Sequence, residues 1–244
     1  MSLFNHLAQP LTRRFLRGLV STAAGRAHVL SQAADAESTD EGAIFDRLLA
    51  HVDDPKLEQM IRRHQADELR HASMFRERLT ATGVDPGPVP AHLKLLERID
   101  ALADHVMQRP VDGAHDVMVS YLMLLVIEER AINQFSLFAP AFDEVDPATA
   151  AVFREVGKDE ARHLRYCHAI ASRYAPSEAI MQSTLAQLRA CELKAFVDNS
   201  RANMDWVFEH GLHPATAFEQ VLWRASMGMR LFRRVRPPLR AQPA

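Results

Sequence analysis

The sequence is poor in the residues that build several classes of protein. Of 244 residues only 9 are glycine and 7% are aromatic. Many-stranded sandwiches and barrels need frequent glycine turns, so the shortage argues against them and suits helices. Two cysteines, Cys167 and Cys191, cannot make a disulfide scaffold, and a reducing cytoplasm is the simplest compartment. The longest nearly apolar run, Val117 to Ile127 with Ser120 inside it, is 11 residues, far short of the roughly 20 a membrane-spanning helix needs. Polar and charged residues (Asn5, His6, Arg13, Arg14, Arg17) leave no uninterrupted apolar stretch near the start, so no signal peptide is expected. Neither sign of charge dominates: the formal net charge is −2 and the pI about 6.6. What remains, 48% hydrophobic and 25% charged, is an ordinary globular composition rather than a disordered one.

Helix signals fill the chain. Residues of about Ser21 to Val52 read as one long helix with Ala27, Leu30, Ala34, Ile44 and Leu48 on a helical period. Asp53-Asp54-Pro55 stops it and caps a second, which runs to about Thr82 and closes at Gly83. A Pro/Gly-rich turn leads to a short helix at about Ala91–Gln108, then a third long helix over about Ala114–Ala139 ending at Pro140. Asp146-Pro147 opens a fourth, to about Tyr174. Two further helical segments, about Ser177–His210 and Pro214–Arg234, precede an Arg/Pro tail. No linker interrupts the chain. The expectation is a single all-α domain over residues 1–244: a four-helix core at about 21–175, a C-terminal helical extension at about 177–234 and the tail 235–244.

Two of these helices share a motif. Asp67-Glu68-Leu69-Arg70-His71 and Asp159-Glu160-Ala161-Arg162-His163 are both D-E-x-R-H. At about 5% usage per residue, two chance copies have odds on the order of one in a million. A single Glu-x-x-His would be weak, because wet helix faces carry such pairs routinely. Here the neighbours place both pairs in apolar stripes: Leu57, Met60, His64, Glu68, His71, Phe75, Leu79 in one helix, and Val152, Val156, Glu160, His163, Cys167, Ile170, Tyr174 in the other.

The other two long helices each offer a carboxylate in an apolar stripe. Glu37 lies 31 residues before Glu68, and Glu128 lies 32 before Glu160. Glu129 keeps the 31-residue spacing, but its face continues through Asn133 and Ser136 and is wetter, so Glu128 is preferred. Glu41, one turn after Glu37, is a weaker substitute. Four carboxylates converging in a core would each cost several kcal/mol unpaired. Two divalent cations would neutralise them, with the two imidazoles as neutral ligands. Hard oxygens with imidazoles and no thiolate suit iron or manganese and disfavour structural zinc. The expected site is therefore a dinuclear carboxylate centre of the helical-bundle kind. Asp67 and Asp159 are candidates to accept the Nδ1–H of a metal-bound histidine; the plainer reading is i,i+3 pairing with Arg70 and Arg162. His64 and Tyr121 are candidate cavity-lining residues, with simple core packing the commoner role for each.

At these residues the chain resembles the ferritin-like di-iron carboxylate superfamily, and within it the oxygen-activating branch of monooxygenase hydroxylases, acyl-carrier-protein desaturases and a tRNA hydroxylase. The last is most similar in layout. Its run of Glu, Val-Asp-x-Pro and Glu-Leu-Arg-His resembles Glu37, Val52-Asp53-Asp54-Pro55 and Glu68-Leu69-Arg70-His71, and its Ile-Glu-x-Arg and Glu-Ala-Arg-His resemble Ile127-Glu128-Glu129-Arg130 and Glu160-Ala161-Arg162-His163. The resemblance covers about residues 29–175. It implies a ferritin-like four-helix bundle whose long crossover holds a short helix, and it implies Glu37, Glu68, His71, Glu128, Glu160 and His163 as ligands of two irons per chain, with manganese or a mixed Mn/Fe pair as alternatives. Glu128 is thereby selected over Glu129.

The function this implies is a di-iron-dependent oxidoreductase that activates O2 to oxidise, most simply hydroxylate, an organic substrate, with a separate electron-donor protein. The alternatives are a ferroxidase or iron-handling protein, a tRNA-modifying hydroxylase and a metal-binding protein without turnover. The C-terminal helices suit covering one mouth of the bundle or building a homodimer. Arg224, Arg230, Arg233, Arg234, Arg236 and Arg240, with no acid after Glu219, could contact nucleic-acid phosphates. Such an end is more often solvated or paired with an acidic partner, so nucleic acid is the lesser expectation.

Overall fold

The structure, a computed structural model, describes the backbone of residues 3–38 and 41–234 and the side chains of 11–38 and 43–225. Among the described residues it is all-helical. The helices are α1 (Leu3–Val20), α2 (Ala23–Ser38), α3 (Glu41–Leu49), α4 (Pro55–Ala81), α5 (Leu95–Leu102), α6 (Ala114–Phe142), α7 (Pro147–Tyr174), α8 (Glu178–Glu209) and α9 (Ala217–Arg234), with one 3₁₀ turn at Ala91–Leu93. None of them is long and apolar enough to cross a membrane.

The caps read from the sequence close the helices that carry the repeated motif. Asp54 accepts a hydrogen bond from the Lys56 amide at 2.8 Å with Pro55 opening α4, and Asp146 accepts from the Thr149 amide at 3.1 Å with Pro147 opening α7. Each satisfies an amide that the first helical turn leaves without a partner. Asp146 also takes Arg78 from the end of α4 at 2.9 Å, tying α7's start to α4's end.

The segment expected as one helix from Ser21 to Val52 carries α2 and α3, with Thr39 and Asp40 between them outside the described residues. Three readings differ from expectation. The helix expected over about Ala91–Gln108 spans only Leu95–Leu102, because the chain turns left-handed at Asp104 and His105 (φ 58° and 55°) and the Asp100 carboxylate accepts the Met107 amide at 2.7 Å. The helix expected to stop at Pro140 runs on to Phe142. Proline there removes one backbone bond in the last turn, while Ala141 and Phe142 are buried against the core. Last, α1 was not expected at all.

Packing arranges α4 against α2 and α7, and α7 against α6. Pairs such as Asp67–His163, His71–Asp159, Phe75–Phe153 and Arg78–Asp146 show that α4 and α7 run antiparallel. The apolar interior forms two clusters. One gathers Phe45, Leu48, Ile61, Val117, Tyr121, Cys167 and Ile170 among others, and the other Leu30, Ala34, Phe75, Phe135, Phe142, Phe153 and Val156. Along α4, α6 and α7 alike, the residues between the clusters are the polar ones: His64, Glu68 and His71; Glu128; Glu160 and His163. Phe153 anchors the second cluster, with ring centroids 5.0–5.5 Å from Phe75, Phe135, Phe138 and Phe142. Phe153→Ala is therefore expected to lower stability by about 3–5 kcal/mol in equilibrium denaturant unfolding of the metal-free protein.

Candidate metal centre

The six side chains singled out by the sequence meet. Glu37 sits in the last turn of α2, Glu68 and His71 in mid-α4, Glu128 in mid-α6, and Glu160 and His163 in mid-α7, all buried. His71 Nδ1 lies 3.4 Å from Glu37 Oε2, 3.2 Å from Glu160 Oε1 and 3.9 Å from Glu68 Oε2. His163 Nδ1 lies 2.8 Å from Glu160 Oε2, 3.0 Å from Glu68 Oε1 and 4.0 Å from Glu128 Oε1. Glu68 and Glu160 thus each turn one oxygen toward each histidine.

The donor atoms fall into two sets, Glu37, Glu68, His71 and Glu160, and His64, Glu68, Glu128 and His163, within each of which they all lie within 4.8 Å of one another. Both sets could hold a metal ion. Several of these atoms face one another without hydrogen-bond geometry: Glu68 Oε1, His71 Nδ1 and Glu160 Oε1 are buried and lack a hydrogen-bond partner. Buried lone pairs that converge on a point without bonding each other are costly, and a cation at that point would satisfy them.

His64 takes a larger part than cavity lining. Its Nε2 is 2.9 Å from Glu128 Oε1 and 3.3 Å from Glu68 Oε1, and its ring stacks on His163 at 3.9 Å. The signal was available as His-x3-Glu-x2-His on one apolar stripe. Tyr121 lies fully buried in the first apolar cluster, its Oη without a hydrogen-bond partner. Glu129 points outward and pairs with Arg189, Nε to Oε2 at 3.0 Å, in keeping with the preference for Glu128. The side chain of Glu41 lies outside the described residues, as do those of Arg230, Arg233, Arg234, Arg236 and Arg240.

Around this core the two motif copies lock together. His71 donates its Nε2–H to Asp159 at 3.4 Å, and His163 donates its Nε2–H to Asp67 at 3.3 Å. Each aspartate therefore orients the histidine of the other helix, through Nε2 rather than the expected Nδ1. The reason is geometric: the aspartate precedes the inward glutamate by one residue, about 100° around the helix, and so faces the neighbouring helix. The plainer reading holds as well, since Arg70 pairs with Asp67 at 3.2 Å and Arg162 with Asp159 at 2.6 Å. Arg162 also reaches Asp67 at 2.6 Å, and Arg70 reaches Asp159, closing a ring of two aspartates and two arginines across α4 and α7.

The electrostatics follow from burial. Burial and the nearby Glu68 charge push the Glu37 carboxyl well above the usual range. Burial disfavours charge on Glu68 as well, but the His163 and His64 rings beside it outweigh that and hold the carboxyl well below the usual range. Burial would lower His71 and His64; carboxylates of Glu160 and Glu37 instead raise His71 to about 11, and Cys167 with Glu68 raises His64 to about 10. Burial also pushes the Cys167 thiol up to about 11, so it offers no thiolate at neutral pH. Despite its burial Asp159 falls to about 2, held by Arg70 and Arg162.

Comparison with protein-family models, curated proteins and solved structures finds no match to this chain.

Two outcomes follow for the metal-free protein. Its raised histidines carry protons that a cation must displace, so loading Mn(II) or anaerobic Fe(II) at pH 7 should release about two or more protons per chain in weakly buffered indicator dye, with affinity climbing as pH rises. By linkage, the stabilisation from these histidine–carboxylate contacts is complete below the ordinary histidine value of 6.5 and fades as pH rises through about 10 to 11. Asp159→Asn, which removes the charge orienting His71, should weaken metal binding about 10–100-fold in a chelator-competition titration without abolishing it.

Proposed function

We propose that the chain is a non-haem di-iron oxidase or oxygenase on a ferritin-like bundle formed by α2, α4, α6 and α7. One observation carries this reading: two buried donor sets that share Glu68, assembled from four helices with nitrogen and oxygen donors only. Glu37 and His71 would hold one ion, Glu128 and His163 the other, and Glu68 and Glu160 would lie between them. His64 adds a third imidazole to the second position alone. Reduced iron, if held by these residues, would supply the electrons for activating O2 toward an organic substrate.

The chain's own contribution is positioning and exclusion. Asp67 and Asp159 fix both imidazole rings with Nδ1 inward. The apolar clusters on either side keep water from the centre. The donor set favours iron or manganese over structural zinc, and the protonated Cys167 leaves that preference intact. Turnover as an oxygenase would require an electron-donor protein.

Purified protein grown with iron should hold about two irons per chain by elemental analysis, and Glu68→Ala or His163→Ala should abolish this. Mixing the anaerobically reduced protein with O2 should give a transient optical change, followed by oxidation of an organic substrate. Ferric mineral without organic turnover would instead assign iron handling, and tight zinc with no iron after iron supplementation would overturn both.

A further inference from the structure

The terminal helices carry a surface unrelated to the metal donors. In α9 one face packs on the body: Trp223 is buried with its ring 5.5 Å from Phe15 of α1, Glu219 pairs with Arg14 at 3.1 Å, and Arg224 pairs with Asp205 of α8 at 2.7 Å. Thr216 and Glu219 cap its start reciprocally, the Thr216 amide to Glu219 at 2.9 Å and the Glu219 amide to Thr216 at 3.3 Å. The opposite face is apolar and open. Phe218, Val221 and Leu222 are 73%, 62% and 53% exposed, with exposed Ala225 one turn on. The spacing i, i+3, i+4, i+7 makes them one stripe. On the adjoining α1, Leu11 is 42% exposed.

Charge is segregated to match. All 31 acidic residues lie between Asp35 and Glu219. The segments 1–34 and 220–244 contain ten arginines, no lysine and no acid. A net-acidic protein therefore presents arginine-rich helices at its two ends, with Glu219 in the first turn of α9 the acid between them, and these helices meet at Phe15–Trp223 and Arg14–Glu219.

We propose that α1 and α9 form a docking surface for an anionic lipid bilayer, with α9 lying in the interface and Phe218, Val221 and Leu222 buried among the acyl-chain boundary. An outward apolar stripe beside arginines is what such interfacial helices present, apolar contact and attraction to anionic headgroups acting together. Other occupants fit less well. RNA would engage the arginines but leave the stripe in water. A second copy would set arginine-bearing helices against each other with Glu219, already paired with Arg14, as the acid on offer. The tail 235–244 offers only Val235 and Leu239 as large apolar residues among prolines and arginines.

The test is flotation of the full chain with vesicles of phosphatidylcholine alone and of phosphatidylcholine mixed with phosphatidylglycerol, independently of metal content. The protein should float with the anionic vesicles only, less so at high salt. Combined Phe218→Ser, Val221→Ser and Leu222→Ser should cut the bound fraction about tenfold or more while leaving the thermal melt unchanged, as exposed positions allow. Should that variant fold poorly, Arg230→Gln with Arg233→Gln and Arg234→Gln should likewise lose anionic binding. Flotation indifferent to phosphatidylglycerol, or untouched by either variant, overturns the proposal. So does retention on polyuridylate with no flotation, or a dimer on size exclusion that the serine variant dissociates with no flotation.

Discussion

Four buried carboxylates, each within 4.0 Å of His71 or His163, are the constraint around which the rest of the interior is organised. Glu37, Glu68, Glu128 and Glu160 come from α2, α4, α6 and α7, and an ionised carboxylate in such a place costs several kcal/mol unless compensated. In the metal-free protein the compensation is made with protons. Burial and its acidic neighbours push Glu37 toward its neutral form, while the carboxylates push His71, His163 and His64 toward their charged forms. The divergence of Glu37 upward and Glu68 downward is what like charges at short range produce: they cannot all ionise, so the group with the better donors keeps its charge.

The repeated motif is best understood as half of a reciprocal device. In each copy the glutamate and histidine turn inward while the aspartate and arginine reach across to the other helix. Because α4 and α7 run antiparallel, the aspartate of one copy meets the histidine of the other. One copy alone would leave its histidine without an orienting carboxylate. The duplication in the sequence is thus a physical requirement of this contact, and the four charged groups of the ring, only partly exposed, seal the face where the two helices meet.

Much of this was legible beforehand, for identifiable reasons. Glu68, His71, Glu160 and His163 announced themselves by repetition, and Glu128 was separated from Glu129 by the wetness of the latter's face, which the structure pairs with Arg189. Capping chemistry placed the starts of α4 and α7 because Asp-Pro pairs act locally. The misses were contextual. The left-handed turn at Asp104-His105 depends on the Asp100 carboxylate reaching Met107, a tertiary choice. His64 was underweighted because a lone histidine on an apolar stripe is commonly core, and only its 2.9 Å approach to Glu128 on a distant helix gives it a larger role.

That histidine is also where the reciprocity fails. Counting back four residues from the motif glutamate gives His64 in α4 but Val156 in α7, and counting forward seven gives Phe75 in α4 but Cys167 in α7. Across the antiparallel contact these positions pair His64 with Cys167 at one end of the polar layer, and Val156 with Phe75 at the other. All four are buried at 1% exposure or less, so the difference is one of chemistry and not of solvent. One end of the layer therefore ends in apolar and aromatic packing. The other holds an imidazole with a thiol beside it. Two helices related by near-symmetry thus face the buried carboxylates with unequal ends, through two differences between the repeats, and one of those differences puts a further imidazole among the donors.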